Sequence, residues 1–388
     1  MIELPFAGLL RPVDPRHGSA YLPVVRHGSL RSLLPVEPAP VLRAALHRSN
    51  GPETLARHLA RRAYAGFAGL RLGHGPGART SLIGLDDREL RELLGGVVDR
   101  PVRLAIHFGP PRANRKPVVH VLDEEGRLRA VAKVGVDERT ESLVVVEAEA
   151  LRALAQPGLA GALVVPRLLA LTSWAGRPLL VQSAVPVGGR HTCPGPERRS
   201  GAERALVGAL PPRPGGAEAY LAGLHARVTE LTDVAARDQL LRALDLAADR
   251  IDVGLVRTGA WHGDWSPQNV AASPQGAVAW DWERLATDRP LGFDAAHFQL
   301  QWLLGRRRAR PGERLVDRAP GVFRCWQPLP DPVQARALAL LLLVELGARY
   351  VGDGQPDTEA PGAAVLSWLP PALDRLHHPT PRPEEAPR

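Results

Sequence analysis

The segment WHGDWSPQNVAASPQGAVAWDWE, which begins at residue 261, constrains the fold of this chain more than any other stretch. Asp264 and Asn269 lie on either side of a Ser-Pro pair, so a turn at Pro267 would bring both side chains to one cavity. A short apolar strand is predicted over 277–280, and it ends at Asp281. The segment therefore predicts a loop and a return strand that carry three oxygen-bearing side chains.

The composition is that of an ordinary globular protein. The chain has 388 residues, of which 45% are hydrophobic and 23% are charged, and its formal net charge is +8. This length allows two or three structural units with a real core. The arginines are dispersed, and the one dense run, at 306–310, has no interleaved aromatic residues that could stack on bases. We therefore expect no nucleic-acid partner.

The sequence also lacks the signals of export, metal clustering and membrane insertion. Cys193 and Cys325 form neither a disulfide framework nor a zinc-ligand spacing. The first residues, MIELPFAGLLRPVD, have no basic region of the kind that opens a secretory signal. The longest apolar run, 337–344, is far shorter than the roughly 20 residues that span a bilayer. We expect a cytoplasmic protein without a membrane partner, and the sequence leaves the oligomeric state open.

Residues 98–185 predict a small antiparallel sheet with one helix packed on it. Alternating or apolar stretches indicate five strands, and the turn sequence Asp-Glu-Glu-Gly separates the second from the third. The helix is predicted over 141–154, because Pro and Gly follow at 157 and 158. The five predicted strands are Val102–Phe108, Val118–Leu122, Leu128–Val136, Leu163–Ala170 and Pro178–Ser183.

Residues 1–97 are predicted to be an N-terminal extension of unknown role. They are rich in Pro, Gly and Arg, and they carry no chemical motif. Two patches, Thr54–Ala68 and Asp86–Leu94, have helix-like composition.

Residues 186–377 are predicted to be mainly helical. The stretch 186–216 has the composition of a loop. The tail at 378–388 is rich in Pro and charged residues, and we expect it to be flexible. The predicted helices are Tyr220–Val228, Arg237–Arg250 and a long helix that Asp331-Pro332 opens and that runs to Tyr350.

The polar residues of the opening segment suit a metal ion and a proton acceptor. Mg²⁺ prefers a few protein oxygens together with phosphate oxygens and waters, so Asn269 and Asp281 are the candidate metal ligands. Asp264 is the candidate general base, since a carboxylate within hydrogen-bond reach of a hydroxyl can accept its proton. Phosphoryl transfer needs mainly such positioning and charge neutralisation.

HGDWSPQNV followed by AWDWE resembles the catalytic loop and metal-binding strand of the aminoglycoside phosphotransferase and choline kinase-like family, which belongs to the protein-kinase-like superfamily. The resemblance covers residues from about 100 to 350. It implies an α+β, protein-kinase-like two-lobed fold, with a small antiparallel-sheet N-lobe and a mainly helical C-lobe. It also implies that the γ-phosphate of ATP or GTP moves to a hydroxyl of a small molecule, with Mg²⁺ as cofactor.

Lys133 is one of two lysines in the chain, and it lies in AVAKVGV, an otherwise small or apolar strand. The resemblance implies that it holds the α- and β-phosphates of the nucleotide and pairs with a carboxylate of the following helix. Glu147 and Glu149 are the two candidates. We favour Glu147, because it shares a helix face with Leu151 and Leu154.

The resemblance implies roles for five further residues. Gln182 and Ala184 end the last strand of the first lobe, where the adenine-binding hinge would fall. His262 would orient the loop through hydrogen bonds, and Glu283 would shape the substrate side; simple polar pairing is the alternative for both. Asp294 would anchor the catalytic loop or cap a helix, which is a structural role.

The loop GPPRANRKP at 109–117 departs from the glycine-rich loop of protein kinases, because it has one glycine and three prolines. Backbone amides at Ala113–Arg115 could still cradle a phosphate, with added charge from Arg115 or Lys116. A surface hairpin without a ligand is the alternative.

A catalytically inactive kinase-fold binding or regulatory protein is the alternative function, with residues 1–97 as its interaction module. Lys133, Asp264, Asn269 and Asp281 all have usable chemistry, which favours an enzyme.

The acceptor is open, and choline, a sugar, a nucleoside or another metabolite all remain. A pocket for a polycationic aminoglycoside should be acidic. Glu283, Asp288 and Asp317 are candidates for such a pocket, but the sequence does not bring them together.

Overall fold

A computed structural model describes residues 4, 6, 8–26, 28–48, 82–159, 161–185, 192–306, 310–328, 331–354 and 364–377. The predicted helical patch at Thr54–Ala68 and the tail at 378–388 lie outside these residues. The chain forms two compact units. The first comprises Met1–Ala155, Val164–Pro194 and Ala271–Glu283, and the second comprises Gln156–Leu163, Gly195–Val270 and Arg284–Arg388.

The first unit is built on a nine-stranded sheet in which every pair of neighbouring strands is antiparallel. The strands in chain order are β1 (Arg11–Val13), β2 (Ser19–Arg26), β3 (Ser29–Pro35), β4 (Ile83–Asp86), β5 (Arg103–His107), β6 (Val118–Leu122), β7 (Leu128–Val134), β8 (Leu163–Val164), β9 (Leu168–Trp174) and β10 (Arg177–Ser183). All of them except β8 belong to this sheet, in the order β1-β4-β2-β3-β5-β6-β7-β10-β9.

Residues 98–185 contribute five strands to this sheet, as expected, but the described residues before 98 add four more, so the sheet is larger than predicted. The strands before residue 98 join the later strands where β3 pairs with β5, with Leu33 opposite Ile106. Pro, Gly and Arg residues in and between these short strands conceal their alternation in the sequence. The predicted strand 163–170 is also two strands in the structure, β8 and β9, with Pro166 in the break.

Helices cover both faces of this sheet. On β5, Leu104 and Ala105 point to opposite faces, as successive strand residues do. Leu104 packs in one apolar cluster with Leu90 of α2 (Arg88–Val98). Ala105 packs in another cluster with Val41 of α1 (Ala39–Arg48).

Helix α3 (Glu138–Ala153) follows β7 and contacts β7, β9 and β10. A capping box starts it, in which the Asp137 carboxylate accepts from the Thr140 amide at 2.8 Å and the Thr140 hydroxyl accepts from the Asp137 amide at 3.0 Å. The helix therefore begins three residues before its predicted start. Its buried face includes Val144, Glu147 and Leu151, so one carboxylate is carried into the interior of the unit.

The second unit is mainly helical. Its helices are α4 (Pro196–Ala209), α5 (Gly216–Thr229), α6 (Val234–Ala248), α7 (Phe293–Gly305), α8 (Pro311–Phe323), α9 (Pro332–Gly352) and α10 (Val365–His377), with short 3₁₀ turns at Pro157–Leu159 and Val253–Leu255. The three helices predicted from sequence correspond to α5, α6 and α9. The prediction of a loop over 186–216 is wrong for α4, which starts with a proline in its first turn and buries Leu206.

Helix α9 is the centre of this unit. Asp331 caps it by accepting from the Val333 amide at 2.8 Å. Nearly every side chain from Ala337 to Ala348 is buried, within a cluster that includes residues of α5, α6, α7, α8 and α10. No helix among the described residues is both long and apolar enough to cross a bilayer.

Short strands frame the motif-bearing segment. In the second unit β11 (Thr258–Trp261) pairs with β14 (Ala286–Pro290), and the loop that contains Asp264 leaves the end of β11. After the loop come β12 (Val270–Ser273) and β13 (Gly276–Ala279). The predicted α+β class, with an antiparallel-sheet part and a mainly helical part, is confirmed.

Candidate active site

In the first unit, Lys133 stands at the centre of a buried charge cluster. It lies on β7, which has a strand on each side, and it is opposite Val118 of β6 and Leu180 of β10. Its Nζ donates to both carboxylate oxygens of Glu147, at 2.7 and 2.6 Å, and to Asp281 Oδ1 at 2.6 Å. The structure therefore joins three residues that the sequence singled out.

The helix face decides which glutamate reaches the lysine. Glu147 is fully buried, whereas Glu149, two positions later on α3, is exposed. Successive positions on a helix turn by about 100°, so only one of the two can face the sheet.

The cluster has opposite effects on its members. Burial alone would lower the pKa of the Lys133 ammonium, but the carboxylates of Asp281 and Glu147 more than offset it and raise that pKa above its usual range. Burial favours the neutral form of Asp281, yet Lys133 and Lys116 hold the pKa of this carboxyl below its usual range. Lys133 and Asp281 are therefore charged at neutral pH.

The backbone of the Asp-Trp-Glu segment is held firmly. Asp281 has a φ of +70°, a left-handed conformation that is uncommon for a residue other than glycine. Trp282 is fully buried, its indole N–H donates to the Ala279 carbonyl at 3.1 Å, and its amide donates to Glu147 at 3.3 Å. These contacts fix the carboxylates on either side of the tryptophan.

Three carboxylates of this unit could hold a metal ion. Glu147, Asp281 and Glu283 each offer an oxygen, and these atoms lie within 4.8 Å of one another. Carboxylate oxygens are the hard ligands that Mg²⁺ prefers, so the donor set fits this cation. Lys133 and Lys116 partly neutralise the group.

In the second unit, Asp264 and Asn269 contact each other across the loop. The Asn269 side-chain amide donates to the Asp264 carboxylate at 2.8 Å and to the Asp264 backbone carbonyl at 3.1 Å. The side chain of Asp264 is 37% exposed, so its carboxylate can reach a dissolved substrate. Because the NH₂ group of Asn269 faces Asp264, its amide oxygen is the atom that can bind a cation.

Asp294 anchors the start of this loop. Its two carboxylate oxygens accept from the backbone amides of His262 at 2.6 Å and Gly263 at 3.1 Å. Burial raises the pKa of Asp294 to about 7, against the effect of the two amides. His262 Nδ1 in turn accepts from the Asp264 amide at 3.1 Å, so the imidazole stabilises the local conformation of the loop.

Gly263 is required by the backbone at this point. Its φ is +83°, and a Cβ placed on it would lie 2.5 Å from the Arg284 carbonyl oxygen. The glycine therefore lets the loop pass close to the chain that follows Glu283.

Two residues near Asp264 were missed from the sequence. Arg349 Nη1 donates to the Gly263 carbonyl at 2.6 Å, and His297 Nε2 lies 3.9 Å from Asp264 Oδ1. Burial lowers the pKa of His297 to about 4, so its imidazole is neutral at pH 7. His297 follows Asp294 by three positions on α7, a helix spacing that would place both on one face, whereas nothing in the sequence signals Arg349.

The two hinge candidates lie at the end of β10. Gln182 is buried, and its side-chain oxygen has no partner among the described residues. The Ala184 amide donates to the Arg129 carbonyl at 3.2 Å. That amide is therefore already hydrogen-bonded to the chain at the start of β7.

The acidic residues considered for an acceptor pocket are each paired with a cation. Glu283 contacts Lys116. Asp288 contacts Arg289 and Arg213, and Asp317 lies 3.8 Å from Arg375. The structure does not present these three as an unneutralised acidic surface.

Comparisons with known proteins find similarities to small-molecule kinases of solved structure. No protein-family model and no curated protein matches it. It is similar to a thermostable aminoglycoside phosphotransferase in complex with ADP and hygromycin B, with 15% identity and a TM-score of 0.48, over 75% of this chain and 100% of that one.

Two further similarities are of the same order. An aminoglycoside 2'-phosphotransferase in complex with GDP shares 13% identity over 68% of this chain and 88% of that one, with a TM-score of 0.42. A choline/ethanolamine kinase family protein from Mesorhizobium loti shares 16% identity over 74% of this chain and 92% of that one, with a TM-score of 0.41. These similarities assign no substrate to this chain.

Proposed function

We propose that this protein is a phosphotransferase that moves the γ-phosphate of ATP or GTP to a hydroxyl group of a small molecule. The observation that carries the proposal is the buried contact of Lys133 with both Glu147 and Asp281. A lysine held by a helix carboxylate, beside an aspartate that follows a strand, is the arrangement that binds nucleotide phosphates and their metal ion in kinases.

Each of the site residues has a role in this proposal. Lys133, oriented by Glu147, binds phosphate oxygens of the nucleotide. Asn269 and Asp281 would hold Mg²⁺, which would supply charge neutralisation on the phosphates. Gln182 and Ala184 border the base of the nucleotide.

Asp264 acts on the acceptor. The acceptor oxygen forms a bond to the γ-phosphorus while the bond from that phosphorus to the bridging β–γ oxygen breaks, and the nucleoside diphosphate leaves. The hydroxyl proton passes to the Asp264 carboxylate. Asn269, through its contact with that carboxylate, and His262, through the loop backbone, keep Asp264 in place.

The domain assignment is part of the proposal. Residues 98–185 would act as the nucleotide-binding N-lobe, and residues 186–377 would provide the catalytic loop and read the acceptor. The first unit of the structure also includes strands from residues 1–97, which form part of the sheet that carries Lys133.

A thermal-shift measurement with Mg·ATP and Mg·GTP tests nucleotide binding. We expect the wild type to be stabilised and Asp281→Ala to show a much smaller shift. A wild type that shifts with neither nucleotide would contradict the proposal. An ATP-consumption screen over hydroxylated metabolites, including aminoglycosides, choline, sugars and nucleosides, then identifies the acceptor.

The same screen separates an enzyme from a kinase-fold binding protein. Nucleotide binding without turnover on any acceptor, and without slow hydrolysis that Asp264→Asn abolishes, would favour the binding protein.

A further inference from the structure

The chain has two lysines, and both are buried against the same three-residue segment. Lys133 contacts Asp281, and Lys116 contacts Glu283, two positions along the chain. Lys116 is 6% exposed and Lys133 is 5% exposed. Every other strongly basic side chain in this sequence is an arginine. Both lysine side chains of the protein therefore contact the segment 281–283.

The register of the sheet brings the lysines together. Val118 of β6 is the direct partner of Lys133 on β7, and the Val134 amide donates to the Pro117 carbonyl at 3.2 Å, which continues the pairing. Residues directly opposite each other on paired strands share a face of the sheet, so Val118 and Lys133 lie on one face, and Lys116 precedes Val118 by two residues, just before β6 begins.

The loop that precedes β6 contains two adjacent cations, and the structure gives them different tasks. Arg115 donates to the backbone carbonyls of Phe108 at 3.0 Å and Leu30 at 2.9 Å, and its guanidinium lies over the rings of Phe6 and Phe108. Arg115 is therefore a structural residue that shapes the loop.

Lys116 differs from Arg115, because its ammonium group has N–H donors that are not used within the described part of the chain. The ammonium group can donate three hydrogen bonds, and among the described residues it donates to Glu283 alone. A buried ion pair adds little stability compared with packed apolar side chains, so folding alone does not account for a lysine at this position.

Cations as well as carboxylates surround Asp281, which has Glu147 and Glu283 beside it. Lys133, Lys116 and Arg112 all act on the Asp281 carboxylate as cations. The loop has one glycine and three prolines in GPPRANRKP, so it offers few free amides for a phosphate. The Arg115 amide, one of those few, already donates to the Arg112 carbonyl at 3.1 Å.

The geometry assigns Lys116 as a second phosphate-binding lysine, which takes the place of a glycine-rich loop in binding the polyphosphate of a nucleotide. This assignment rests on the proposed function. Lysine binds phosphate as a compact point charge, and its stem can turn from the Glu283 carboxylate to a phosphate oxygen.

The test is the affinity of the full-length protein for Mg·ATP and for adenosine, measured by titration calorimetry. We expect Lys116→Met to weaken Mg·ATP binding about 10- to 100-fold, the effect of one lost charge-assisted hydrogen bond. Binding of adenosine, which has no phosphate, should change less than about twofold. Lys116→Arg, which keeps the charge, should recover most of the affinity.

Arg127→Met is the matched control, because it removes one positive charge from the exposed turn at the other end of the same hairpin. It should leave both affinities unchanged. Equal loss of Mg·ATP and adenosine binding in Lys116→Met would instead show that the lysine is structural and would overturn the assignment.

A second comparison guards against misfolding, since Lys116→Met leaves Glu283 buried without its cation. Lys116→Met/Glu283→Gln should bind Mg·ATP about 10- to 100-fold more weakly than Glu283→Gln alone, at similar melting temperatures. Equal affinities of these two variants would overturn the assignment while leaving the proposed function intact. A wild type that binds adenosine but shows no gain from the phosphates of Mg·ATP would overturn both.

Discussion

The guanidinium of Arg349 donates to the carbonyl oxygen of Gly263 at 2.6 Å, while Asp294 accepts from the amide of the same glycine at 3.1 Å. The residue before Asp264 is thus held from both sides, by the last turn of α9 and by the first turn of α7. This relationship makes Arg349 a positioning residue for the proposed base.

Arg349→Met should therefore lower kcat about 10-fold, because the Gly263 carbonyl loses its charged donor and the loop loses its fixed orientation. The KM for the nucleotide should stay within about twofold. Steady-state kinetics on the acceptor found by screening measure both values. Arg242→Met, an exposed arginine on α6, is the control and should behave as the wild type. A change in nucleotide KM alone would place Arg349 in a different role.

Asp264→Asn should retain nucleotide binding and lose at least about 10² in turnover, as expected when a general base is removed. The Asn269 amide donates to Asp264 Oδ2 at 2.8 Å, so the new amide must turn its oxygen toward Asn269 to keep the loop contact. Binding is measured by calorimetry and turnover by ATP consumption. Full activity of the variant would refute the role of Asp264.

Glu147→Ala should destabilise the first unit, because it removes the carboxylate that takes two hydrogen bonds from the buried Lys133. Breaking a buried ion pair by deleting one partner costs about 3 kcal/mol or more. Asp281 remains as a partner, so we expect about 3 kcal/mol in the free energy of unfolding, measured with urea. Glu149→Ala, on the exposed side of α3, should change this free energy by no more than about 0.5 kcal/mol. Similar losses in the two variants would contradict the predicted helix face.

Asp294 should make stability depend on pH. Burial raises its pKa from 3.8 to about 7, so the folded protein keeps a proton that the unfolded chain releases above pH 3.8. The stability that this carboxyl contributes is present at low pH and is lost as the pH rises toward 7. The melting temperature of the wild type, minus that of Asp294→Asn, should therefore be larger at pH 5 than at pH 8. A difference that stays constant with pH would mean that Asp294 is ionised throughout.

Local patterns in the sequence predict part of the fold well. Strand β6 has its predicted bounds, because alternating residues are followed at once by the turn sequence Asp-Glu-Glu-Gly. The face of α3 that carries Glu147 was predictable for the same reason, since leucines at helical spacing mark the side that is buried.

The features that the sequence concealed depend on distant parts of the chain. Strand β3 pairs with β5 across the residues between them, and no local signal specifies that pairing. Arg349 reaches Gly263 from 86 positions away in the sequence. Helix α4 was hidden by its many Gly and Arg residues, although burial of Leu206 and Ala202 stabilises it in the second unit.

The pairing of β3 with β5 also determines where the protein can be truncated without exposing a strand edge. A fragment that starts at residue 98 would keep Lys133 and Glu147 but would leave one side of β5 with unpaired amides and carbonyls. An uncovered strand edge of this kind is a template on which other chains associate. Strand β3 therefore pairs with an edge of β5 that could otherwise bind other chains, and a protein shortened to start at residue 98 should aggregate even though every proposed catalytic residue is present.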